Sequence, residues 1–68
     1  MDASTMEMVL TAYDETVQDA LSAGHPEATA HTEGLTAAAM LLAAVTGVED
    51  VTARTEVEAL DPRARLAA

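Results

Sequence analysis

Apolar positions recur along the first third of the chain with the period of an α-helix. They follow one another at steps of four and three residues, and acidic or polar residues occupy most of the other positions; the stripe consists of Met6, Leu10, Tyr13, Val17 and Leu21. This spacing predicts one amphipathic helix over residues 4–23. Ser4 and Glu7 have the spacing of a capping box at its start. Gly24 suits the position after its end, because glycine takes positive φ without a steric penalty.

The second segment is apolar on nearly every side. Residues 35–45 read Leu-Thr-Ala-Ala-Ala-Met-Leu-Leu-Ala-Ala-Val. Pro26 favours a helix start, since a first-turn residue needs no amide hydrogen, and Gly47 is a natural cap after the helix end near Val45. A helix that is apolar all round is normally buried. The short link around Gly24 predicts that the two helices are antiparallel neighbours.

Two seams run along this second helix. We expect the first seam to pack on helix 1; it consists of His31, Leu35, Ala38, Leu42 and Val45. The second seam lies on the opposite side and consists of Ala37, Met40 and Ala44. A 68-residue chain has little other material to cover the second seam. We therefore predict that this seam meets another subunit.

The third segment, residues 48–60, fits two structures. Val51, Ala53, Thr55 and Val57 alternate with polar residues, which favours a half-buried strand. A lone strand must pair with a second copy or with a partner's sheet edge, so this reading places Val51 and Val57 in an interface. The alternative is a third helix, which groups Ala53 with Val57 and Leu60.

These patterns together predict a mainly α fold. It consists of an antiparallel helical hairpin and a short C-terminal extended segment, either a strand or a third helix, and it is completed by oligomerisation. Residues 1–60 form one domain in this prediction, and residues 61–68 form a flexible tail. The Asp61-Pro62 pair is either a stop or the start of one last helical turn.

Composition strengthens the expectation of assembly. The chain has no cysteine, tryptophan or phenylalanine and one tyrosine, so disulfides and thiolate metal sites are excluded and the core is built from small aliphatic side chains. Chains of this size usually need a further stabiliser, and oligomerisation is the one that this composition favours. Met8 lies off the first stripe, and we predict that it also contacts a partner, since methionine adapts to varied surfaces.

The charge is strongly negative. The chain has 12 acidic residues and 3 arginines, and Arg54 is the only cation among residues 1–60. An acidic body repels phosphate backbones and anionic membranes, so we expect neither nucleic acid nor membrane as a partner. The N-terminus is acidic where a signal peptide is basic, and the longest apolar run is too short to cross a bilayer, which predicts a cytoplasmic protein.

One cluster offers candidate chemistry. Glu27 and His31 lie four residues apart, hence on one helix face, and helical bundles build divalent-metal sites from such groups. The simpler interpretation is that Glu27 is a first-turn acid and His31 a partly buried seam residue, with no cofactor. Tyr13 is interpreted as a core residue.

The sequence thus predicts a small, acidic, non-enzymatic protein-interaction module that assembles with itself as a homodimer or higher oligomer. Another protein is the alternative partner. Two alternatives remain open at this point. One is a metal-binding bundle that uses Glu27 and His31. The other is an acidic regulatory partner of a basic protein, such as an antitoxin or a nucleic-acid mimic.

Overall fold

Four helices make up the computed structural model, which describes residues 1–67. They are α1 (Ala3–Ser22), α2 (Glu27–Thr46), α3 (Asp50–Leu60) and α4 (Pro62–Ala67). Helices α1 and α2, which the sequence predicts as a hairpin, pack against each other, and α2 also packs against α3. The mainly α fold is therefore correct, and no β-strand occurs within residues 1–67.

The start of α1 differs from its prediction in one detail. Asp2, not Ser4, is the N-cap, and its carboxylate accepts a hydrogen bond of 2.8 Å from the Thr5 backbone N–H. This hydrogen bond holds the pKa of Asp2 below its usual value. The other helix ends lie close to their predicted positions. Gly24 and Gly47 follow α1 and α2 with φ of +92° and +79°, a conformation that glycine adopts without a steric penalty.

Residues 50–60 form a helix, so the favoured strand prediction is wrong. The helix satisfies its backbone hydrogen bonds internally, whereas a lone strand in this short chain would leave them unpaired. Ala53 and Val57 lie one turn apart on its inner face, and neither is exposed. Val51, which the strand reading grouped with them, lies on the outer face and is 76% exposed.

Val57 is therefore not an interface residue, contrary to the prediction that placed it there. It belongs to the core that forms where α1, α2 and α3 meet; this core consists of Val9, Tyr13, Leu35, Ala38, Ala39, Leu42, Ala53 and Val57. The change from strand to helix is the physical reason, because at helical spacing Val57 follows Ala53 into the interior.

The C-terminal segment forms a short helix within the predicted tail. Asp61 ends α3 with a left-handed φ of 50°, and α4 begins at the buried Pro62. Helix α4 contacts both α1 and α3. The last residue of the predicted tail, Ala68, lies outside the described residues.

Glycine in the middle of α2 has a packing reason. Gly34 is buried against α1, and a Cβ placed there would lie 2.7 Å from Tyr13 Cδ2 and 2.7 Å from Val17 Cγ2. The absence of a side chain at Gly34 lets the tyrosine ring lie directly against the α2 backbone. This contact sets how closely the two helices approach.

Candidate functional site

Within residues 1–67, no helix covers the outer face of α2, which carries Met40; α1 packs on the opposite side of α2, and α3 packs beside this face. Met40 is 67% exposed on this face, Ala44 is exposed and Ala37 is half-buried. The structure thus places the predicted second seam at the surface.

A groove runs between this face and the start of α3, and it brings Met40 and Val51 together. Its volume is about 390 Å³. The residues that line it are Thr36, Ala39, Met40, Asp50, Val51, Arg54 and Thr55. The helical form of residues 50–60 creates the groove, because it turns Val51 outward beside α2 while Ala53 and Val57 face the core.

Arg54 forms one rim of the groove. Its Nε donates a hydrogen bond of 2.9 Å to Glu58 Oε2, and its Nη1 donates one of 3.4 Å to Thr36 Oγ1 on α2. The Glu58 pair is solvent-exposed, and exposed pairs of this kind contribute little to stability. The guanidinium is thus positioned at the surface without being essential to the core.

Met8 lies apart from this groove. It is 42% exposed and lines a second surface groove between α1 and α2 that also includes Leu41. Of the six residues predicted at an interface, Met40 and Val51 share one groove, Ala37 and Ala44 lie on the adjoining face of α2, Met8 is elsewhere and Val57 is buried.

A polar pair lies on the far side of the core. Tyr13 Oη and His31 Nδ1 are 2.7 Å apart, and the two rings meet edge to face with centroids separated by 5.6 Å. Tyr13 is buried, as predicted, while its hydroxyl reaches the half-buried histidine. The sequence placed these two residues on facing seams of α1 and α2, but it gave no sign that their polar atoms would form a hydrogen bond.

Glu27 and His31 line a common cavity of about 260 Å³, together with Arg63 from α4. Within residues 1–67, however, no group of three or more His, Asp or Glu side chains is placed to hold a metal ion. The donor set that a metal site in a helical bundle requires is therefore not assembled around this pair in the single chain.

Burial lowers the pKa of His31, and the nearby cations Arg63 and Arg54 lower it further, while Asp61 acts in the opposite direction. The unfolded chain therefore binds this proton more readily than the folded chain. We expect the free energy of unfolding to stay constant above the unfolded pKa of about 6.5, to fall as the pH drops through that value, and to level off below the folded pKa.

The measurement is the thermal midpoint of the wild type and of His31→Gln between pH 8 and pH 5. The wild type should lose stability across this interval, and the variant should lose less. His25→Gln is the matched control, since His25 lies in the exposed link between α1 and α2. An equal pH dependence in the wild type and His31→Gln would show that His31 does not cause the loss of stability at low pH.

The chain was compared with protein families, with curated proteins and with solved structures, and none of them matches it. Within residues 1–67, no single helix is both long and apolar enough to cross a membrane. Helix α2 and the segment Asp50–Ala67 together meet this requirement by length and composition only, and a bend of 120° separates them.

Proposed function

We propose that this chain is a small, non-enzymatic protein-interaction module that assembles with a second copy of itself through the α2–α3 groove and the outer face of α2. One observation carries the proposal. Val51 and Met40 are the two most exposed large apolar side chains among the described residues, at 76% and 67%, and both line one groove. Isolated exposed apolar residues are ordinary, whereas an apolar patch marks an interaction surface.

The size of the chain supports assembly. Chains below ~70–80 residues rarely obtain more than ~3–5 kcal/mol from one core, and the aliphatic residues here bury less area each than aromatic ones. Covering Met40 and Val51 would add apolar burial at ~25 cal/mol per Å². We infer a dimer in the cytoplasm as the working state.

The non-enzymatic part of the proposal is supported by the arrangement of the one conspicuous pair of reactive groups. The Tyr13 hydroxyl and His31 Nδ1 form a hydrogen bond between α1 and α2. This pairing stabilises the contact between α1 and α2, so helix packing accounts for both residues.

Met40→Asp tests the function directly. A charge at the centre of the proposed interface is buried without a partner and should cost several kcal/mol of association, which corresponds to at least about a 100-fold weaker dimer. The folded monomer should survive, because Met40 is 67% exposed in it. Light scattering behind size exclusion gives the mass, and circular dichroism checks the helix content.

Ala28→Asp is the control for added charge. It introduces the same charge at an exposed position of α2, and it lies 12 residues from Met40, or ~18 Å along the helix. Ala28→Asp should leave the dimer intact. A wild-type monomer, or a Met40→Asp variant that assembles as well as wild type, would contradict the proposal.

A second candidate function follows from the acidic outer side of α1. Glu7, Asp14, Glu15 and Asp19 are all exposed there, and the chain has a formal charge of −9. Such a surface could occupy the basic site of another protein, as an antitoxin or nucleic-acid mimic does. Capture of a strongly basic protein from the native lysate, with release at high salt, would support this candidate; capture of the chain alone would count against it.

A further inference from the structure

Positive charge is confined to a few places on this molecule. Arg54 is the only lysine or arginine among residues 1–60, and the other two arginines, Arg63 and Arg65, lie in α4. Arg54 lines the same groove as Met40 and Val51. The groove that holds the two most exposed large apolar side chains therefore also holds the one arginine of the first three helices.

This coincidence determines which kind of partner the groove can accept. Two copies of a chain with a charge of −9 repel each other when acidic faces meet. The groove carries both signs, because the exposed Asp50 lines it one helical turn before Arg54. A surface with both signs can face a copy of itself without net repulsion, and a strongly basic partner would instead meet Arg54 as a like charge.

We propose that two copies of the chain join across the α2–α3 groove around a two-fold axis, with Arg54 of each copy facing Asp50 of the other. In a two-fold interface the same patch is used twice, so a residue that meets a second residue is also met by its equivalent. One Arg54–Asp50 contact thus implies a second, equivalent contact. The two contacts flank Met40 and Val51. This inference rests on the proposed self-association and specifies its geometry.

The shape of the surface fits this partner. The outer face of α2 presents small side chains on either side of Met40, namely Thr36, Ala37 and Ala44, and small residues let helices approach closely. A stable interface buries about 800 Å² per partner. That area is about a fifth of the chain's accessible surface of 4200 Å².

Charge reversal tests the pairing. Arg54→Asp makes the groove wholly negative and Asp50→Arg makes it wholly positive, so each variant alone should dimerise at least about 10-fold more weakly than wild type. A mixture of the two variants should form a heterodimer, because the opposite charges then meet. The double variant Asp50→Arg/Arg54→Asp should recover self-association. Light scattering and sedimentation give the dissociation constants.

Two controls separate the pairing from other effects. Arg63→Asp changes the net charge as much as Arg54→Asp but lies at the cavity beside His31, so its dimer should match wild type. Asp50→Arg leaves the contacts of Arg54 with Glu58 and Thr36 in place, which distinguishes loss of the pairing from loss of those contacts. Thermal unfolding checks that every variant is folded.

The outcomes distinguish this inference from the function on which it rests. A dimeric wild type whose single variants dimerise equally well, or whose mixed variants fail to associate, overturns the groove pairing and leaves self-association standing. A wild type that is monomeric at both low and high salt overturns both. Weakened single variants with a restored mixture establish the two-fold groove interface.

Discussion

Leu42→Ala is expected to remove a large part of the stability of the folded chain. Leu42 is 1% exposed and lies in the core between α1, α2 and α3. Truncating a buried leucine to alanine costs about 2–5 kcal/mol, since apolar burial is lost and a cavity remains. A chain of this size rarely has more than about 3–5 kcal/mol in total. Urea unfolding followed by circular dichroism measures the loss.

Leu21→Ala is the matched control for this prediction. The same atoms are removed, but Leu21 is 37% exposed at the end of α1. Its cost should therefore be clearly smaller than that of Leu42→Ala. Equal unfolding midpoints for the two variants would show that Leu42 is not in the core that the structure describes.

Gly34→Ala is expected to destabilise the protein, although the same change usually stabilises a helix by about 1 kcal/mol. The new Cβ would lie 2.7 Å from both the Tyr13 ring and a Val17 methyl group, closer than carbon atoms pack. Both neighbours belong to the core side of α1, so relief requires the helices to move apart. Overpacking of this kind costs about 1–3 kcal/mol.

A second substitution gives this prediction a specific test. Val17→Ala removes the methyl group that lies 2.7 Å from the new Cβ. On its own it should destabilise the protein slightly, and in the Gly34→Ala background it should recover part of the lost stability. The coupling is read from the urea midpoints of the four proteins in a double-mutant cycle. A stabilised Gly34→Ala variant would contradict the close contact between α1 and α2.

The helical hairpin was predictable because its signals are local. Apolar residues recur at 3.6-residue spacing in α1, and glycines stand where each long helix must end. The division of α2 into a core seam and an outer seam also held for Leu35, Ala38 and Leu42 on one side and for Met40 on the other. Val45 was the exception, since it is 48% exposed at the end of α2.

Residues 50–60 show where local pattern fails. Alternating apolar and polar residues favoured a strand, although the four-residue step from Ala53 to Val57 also fitted a helix. The tertiary structure selects the helix because the space beside α2 accepts Ala53 and Val57 together, with neither exposed. The same selection removes Val57 from the predicted interface and turns Val51 outward.

The candidate site also combines features that follow from the sequence alone with features that depend on the tertiary structure. The sequence by itself determined the amphipathic period of α1, the apolar α2 with its two seams and the isolation of Arg54 in an acidic chain, because each depends only on residue type and spacing. Only the tertiary structure decided that Val51, Met40 and Arg54 share one groove and that Tyr13 and His31 form a hydrogen bond. Met40 is 11 positions from Val51 and 14 from Arg54, and Tyr13 is 18 positions from His31. The packing of α1 and α3 on α2, not any local preference, therefore brings them together.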